Sequence, residues 1–145
     1  MPALQGLGYS FAFRHQAQGA GPDDTAAENA GVFGLMKSFD IAKDRALQAI
    51  VETAYLSHAG GGPDDRAYLT TGAKLTDGPW NTSASWTMRK TLVADGANYS
   101  DDLYQISAGY LFEDGTSLDG GYKYVHQSSG DVQAVRLQVK HEFSF

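Results

Sequence analysis

His126-Gln127-Ser128 places an imidazole two residues from a hydroxyl. On an extended chain that spacing puts both side chains on one face, where the ring could take the hydroxyl proton and make the oxygen a nucleophile. Such a pair works only with an acidic group to orient the ring. Glu142 is expected on the other face and near the other end of its strand, so no catalytic residue is assigned. His126 reads as a boundary side chain and Ser128 as a turn residue. His15, His58 and His141 show no metal-ligand spacing. The absence of cysteine removes disulfides, thiolate metal sites and cysteine nucleophiles. No metal and no cofactor are expected.

The second group of chemistry-bearing residues is acidic. Gly-Pro-Asp-Asp occurs twice, at 21–24 and 62–65, giving the pairs Asp23/Asp24 and Asp64/Asp65. Adjacent carboxylates on a loop either keep a rim hydrated or gather divalent cations. Asp101 and Asp102 extend the same acidic set, and the repeated motif hints at a duplicated hairpin. The net charge is −6 and the 11 Lys and Arg are scattered, which excludes nucleic acid as a partner.

The elements that must carry these residues are strands. From Val135 to Phe145 the odd positions read Val, Leu, Val, His, Phe, Phe and the even ones Arg, Gln, Lys, Glu, Ser. This is period two over eleven residues, the reach of a tilted strand across a bilayer. The same alternation marks the first strand through Leu7, Tyr9, Phe11 and Phe13. It returns at Trp80–Met88, Tyr104–Phe112 and Leu118–Tyr124, with weaker versions at 30–41, 46–57 and 67–76. The 42–57 segment is also rich in helix formers. A strand there completes an even count, and Lys37 then falls on an apolar face, to be rescued by a bulge or by snorkelling. At 145 residues the chain is one domain, 1–145. The predicted fold is all-β: a closed, antiparallel, up-and-down transmembrane β-barrel of eight strands. No secretory signal is recognisable at the start, so for a secreted protein it is expected to have been removed.

Size decides which face looks inward. The polar face also carries Gly8, Ser10, Gly34, Ser83, Ser85, Ser107, Gly109 and Gly121, and an eight-stranded lumen admits little more than side chains. The lumen is therefore assigned Arg14, Asp40, Glu52, Lys74, Arg89, Glu113, Asp119, Lys123, Arg136, Lys140 and Glu142, and the bulky aromatics face lipid. Near balance of charge is what a narrow interior requires. The connections differ in length: 16–29, 58–66 and 94–103 are long, and 42–45, 77–79 and 114–116 are short. The long ones, with the last connection at 127–131, hold nearly all the loop acids, which predicts an acidic external rim of Asp23, Asp24, Asp64, Asp65, Asp101 and Asp102.

The ending His141-Glu142-Phe143-Ser144-Phe145 resembles the carboxyl-terminal strand of Gram-negative outer-membrane β-barrels, as eight strands or as the last eight of a larger porin-like barrel. The resemblance implies an outer-membrane location and recognition by the barrel assembly machinery through Phe143 and Phe145. The bilayer and lipopolysaccharide would be the partners. A structural or narrow-pore function for small solutes or ions follows, with a surface interaction module acting through the acidic loops as the alternative. His126-Gln127-Ser128 is also similar in spacing to the His-x-Ser pair of lipid A deacylase barrels. It departs from that pattern in lacking the acid, so the chain is not expected to be an enzyme, and a lipid A-modifying hydrolase stands as the second alternative function.

Overall fold

In a computed structural model of the chain, residues 6–16 and 27–141 are described. They form eight strands: β1 Leu7–Gln16, β2 Glu28–Ala42, β3 Arg45–Ser57, β4 Asp65–Asp77, β5 Trp80–Leu92, β6 Tyr99–Leu111, β7 Thr116–His126 and β8 Val132–His141. A 3-10 turn, Ala59–Gly61, sits in the β3–β4 connection. Each strand pairs antiparallel with its sequence neighbours in one sheet of order β1 to β8. The chain is thus all-β and up-and-down. The expected closure is not present: β1 pairs only with β2, β8 only with β7, and the sheet is open.

The helix formers of 42–57 are overridden by tertiary pairing. β3 is laddered on both sides, from Asn29↔Ser57 to Ala42↔Arg45 against β2 and from Arg45↔Asp77 to Leu56↔Arg66 against β4. Local propensity of a few tenths of a kcal/mol per residue does not compete with two full ladders. Lys37 stays in register between Leu7 and Ala49 on the apolar face, its ammonium 5.6 Å from the centre of the Phe39 ring. The irregularity in β2 lies further on, between Asp40 and Ala42.

The strands run further toward the long connections than alternation alone indicated. Those connections shrink to 58–64 and 93–98, drawing Glu28 into β2, Arg66 into β4, and Asp101 and Asp102 into β6. At the opposite end the turns are tight. Gly78 adopts φ 55° between β4 and β5 and donates its N–H to Asp44 O at 2.8 Å, tying two neighbouring turns together. Between β6 and β7, Phe112 N donates to Thr116 O at 2.8 Å, and Asp114 Oδ1 accepts from Thr116 N at 2.9 Å. That backbone N–H holds the Asp114 carboxyl below its ordinary pKa.

Cross-strand partners share a face, so the register sorts every strand residue. One face carries the small and polar set. The other carries Tyr9, Phe11, Phe33, Leu35, Val51, Leu69, Trp86, Tyr104, Ile106, Leu137 and Val139. No described residue covers that second face: Tyr9 and Val135 are each 82% exposed and Leu137 is 74% exposed. Among the described residues the buried hydrophobic ones are Ala30 and Ala59. A single sheet without a second layer has no core of its own.

Candidate functional site: a two-faced sheet with bounded belts

The apolar face is ordered along the strand direction. In β4 the outward positions read Asp65, then Ala67, Leu69, Thr71, Ala73, Leu75, then Asp77. β3 repeats this as Arg45, then Leu47 to Tyr55, then Ser57, and β5 runs from Trp80 to Met88 before Lys90. β6 starts its belt after Asp102, and β7 ends its own at His126. Charge, polarity or an aromatic ring thus stands at the ends of these belts, and Lys37 is the one charge within them among the described residues. From Ala67 to Leu75 is eight residue steps, about 27 Å along the strand and about 20 Å in height at a barrel tilt near 40°. That approaches the apolar band of roughly 25 Å that an outer membrane presents.

Aromatic rings mark the two margins of this belt. Near the short turns Trp80, Tyr110 and Phe112 form an edge-to-face chain, with centroids 4.7 Å apart in each pair. Toward the long connections Tyr104 and Tyr124 lie 6.2 Å apart, and Trp86 donates its indole N–H to Asp102 Oδ1 at 2.8 Å. Between them runs a row of smaller apolar residues, Ala49, Ala73, Ala84 and Ile106. The polar ring atoms of Trp86 and Tyr124 bond to Asp102 and Asp131 at the long-connection end, an arrangement that suits a polar margin on an apolar belt. At the short-turn margin Arg45 and Asp77 form an ion pair at 2.5 Å.

The opposite face carries Arg14, Asp40, Glu52, Lys74, Arg89, Asp119, Lys123, Arg136 and Lys140, as the alternation indicated. Glu113 is a correction: it lies in the turn between β6 and β7 and lines no strand face, because β6 ends at Leu111. Glu142, Phe143 and Phe145, with Asp23 and Asp24, lie outside the described residues. Three further charged residues that the sequence leaves in connections lie on the polar face: Glu28, Arg66 and Asp101. Glu28 is the ion-pair partner of Arg14, and Asp101 that of Arg89. Arg14 pairs with Glu28, which is 7% exposed. Arg89 donates from Nε to Asp101 Oδ2 at 2.8 Å, with Asp101 at 5% exposure. The missed signal was spacing, since both acids continue the inward parity of their strands. Asp40, Glu52, Lys74, Asp119 and Lys123 make no ion pair among the described residues.

The acidic rim is therefore less free than its sequence implied. Asp101 is an inward ion-pair member and Asp102 an outward acceptor for Trp86, so neither belongs to a loop rim. Asp64 Oδ1 accepts from Ala94 N at 3.2 Å, joining the β3–β4 and β5–β6 connections. Asp65 Oδ1 accepts from His58 N at 2.9 Å, and its other oxygen accepts from the Tyr55 hydroxyl. These carboxylates organise loops, and no group of three or more potential metal ligands occurs among the described residues.

The imidazole that opened the sequence analysis does find an acid. His126 Nδ1 lies 2.7 Å from Asp131 Oδ1, and the Tyr124 hydroxyl donates to Asp131 Oδ2 at 2.7 Å. The acid lies across the β7–β8 connection, five residues away, and not on β8. The Tyr124 and His126 hydrogen bonds hold the Asp131 carboxyl below its ordinary pKa. Ser128 is not hydrogen-bonded to His126, so the three groups are not assembled as a nucleophile site.

An antiparallel meander with one bounded apolar face and one hydrophilic face defines a class of sheet, not an individual protein. No protein family, curated protein or solved structure matches the chain.

Proposed function

We propose that this chain forms wall of a transmembrane β-barrel in a Gram-negative outer membrane, with its apolar face on lipid and its polar face on a water-filled lumen that passes small solutes. The observation that carries this reading is the apolar belt bounded at its margins by charged, polar and aromatic residues. A sheet packed against protein has no need of a belt limited to bilayer height, and one standing in water would expose an apolar surface far beyond what a soluble monomer tolerates. Unpaired edges cannot face hydrocarbon, because each unsatisfied backbone group there costs several kcal/mol. In the membrane, β1 and β8 must both be paired.

The charges that make no ion pair among the described residues support a wide closed structure. Eight strands closed on themselves leave a lumen filled by side chains, where Asp40, Glu52, Lys74 and Lys123 would each need a partner. Hydrated charges need a wider, aqueous interior, so this sheet is read as part of a barrel of more than eight strands. Its carboxyl-terminal Phe143 and Phe145 would then serve the barrel assembly machinery, and its long connections would meet lipopolysaccharide.

Planar-bilayer recording of the folded protein tests the pore. Within the polar face β1–β3 carry one base against three acids, and β4–β8 carry six bases against two. The expected result is open-channel current whose anion-to-cation preference falls on joint neutralisation of Lys74, Lys123 and Lys140. The effect should be strong at low salt and weak at 1 M, where screening acts within about 3 Å. A well-folded, membrane-inserted preparation without current removes the pore.

A further inference from the structure

Strands β5 to β8 enclose a niche of about 470 Å³ on the polar face, lined chiefly by Ser83, Ser85, Gln105, Ser107, Lys123 and Arg136. Its shape follows from the register. Arg136 stands opposite Gly121, and Lys123 opposite Ala134, so each long cation has a small residue across the ladder and open space beside it. The two bases are diagonal neighbours on one face, about 7–8 Å apart at the backbone. Across β6, Gln105 and Ser107 lie opposite Lys123 and Gly121, and Ser83 Oγ is 2.7 Å from Ser107 Oγ.

No carboxylate lines this niche. Asp119 is the acid nearest Arg136 in the register, yet it makes no ion pair with it. Its carboxylate instead lies over Gly109, beside Asn81, where a Cβ would have no room. Arg136 spends one donor on Gln138 and keeps the rest of its guanidinium fork. Two neighbouring cations repel each other, and hydroxyls and an amide that can donate surround them. An oxyanion between the two bases would relieve that repulsion and accept from both cations and from the hydroxyls.

The geometry points to a binding site for a small oxyanion, a phosphate or carboxylate group, at Lys123 and Arg136. This inference rests on the polar face being open to water. It adds a resting place for anionic solutes on the wall that the basic half of the sheet forms.

The test is calorimetric titration of the full chain, folded in non-ionic detergent at low ionic strength, with inorganic phosphate and, separately, with acetate. The wild type should bind phosphate more tightly than acetate. Lys123→Gln combined with Arg136→Gln should weaken phosphate binding at least tenfold. Gly121→Val fills the niche while keeping both charges, and should weaken binding at least threefold. Lys43→Gln, in the β2–β3 turn, should leave it unchanged. Absence of binding for both anions overturns the site, as does equal weakening by Lys43→Gln, which would reveal only diffuse attraction to positive charge. Unchanged binding in Gly121→Val would also overturn it, since the niche would then play no part. The same preparation, assayed for current, separates this inference from the pore: current without phosphate binding removes the niche alone, and phosphate binding without current removes the pore alone.

Discussion

Asp131 accepts from two side chains of β7, and its carboxyl is held below the ordinary value of 3.8 by Tyr124 first and His126 second. A depressed carboxyl contributes stability that is fully present above 3.8 and is lost as pH falls through the lowered folded value. The β7–β8 connection should therefore loosen only in strong acid. Carbon-detected NMR should place the Asp131 midpoint below 3.8, and Tyr124→Phe should move it upward. A midpoint unaffected by Tyr124→Phe would mean that the hydroxyl does not hold the acid in solution. The Arg89–Asp101 pair is a sharper case, because Asp101 is nearly buried. Arg89→Met strands that carboxylate and should cost about 3 kcal/mol, read by urea titration in detergent, whereas Asp101→Asn with Arg89 intact should cost less since Arg89 reaches solvent.

At the scale of the strand, parity does most of the work. Ala84 lies in the middle of the belt and Ser83 beside it on the polar face. Ala84→Arg should destabilise the folded protein in lipid by about 2–4 kcal/mol, while Ser83→Arg should cost under about 1 kcal/mol. Equal penalties would contradict the assignment of faces. The same parity made most of the polar face legible in the sequence, from Arg14 on β1 to Lys140 on β8. It failed at strand ends. Glu28, Arg66 and Asp101 look like loop residues because acids and glycines crowd around them, and only the ladder partner shows that each continues a strand. Glu113 failed in the opposite way, since counting by twos ran through a turn that Asp114 and Gly115 had already begun. His126 acquired Asp131 across a connection, a contact that depends on loop shape and has no periodic signature. Residues 42–57 were ambiguous for a different reason: their helix propensity is real and was decided by neighbours distant in sequence.

At the scale of the whole molecule the described residues form one sheet without a core, in which β1 and β8 are the edges. The even strand count points to closure at eight, and the small residues of the polar face put that face inside. Small residues fit a narrow lumen, but they also form niches along the wall of a wide one, and alternation does not distinguish these. Among the described residues β1 and β8 share no ladder and Asp40, Glu52, Lys74 and Lys123 make no ion pair, and the wide barrel is proposed on these two observations. The central claim, that one face meets lipid and the other water, is tested most directly by single spin labels at positions 137 and 138 of the protein reconstituted in lipid vesicles. The label at 137 should respond to a lipid-soluble relaxant and the label at 138 to a water-soluble one. Matching responses at the two positions, or a water-soluble response at 137, would contradict it.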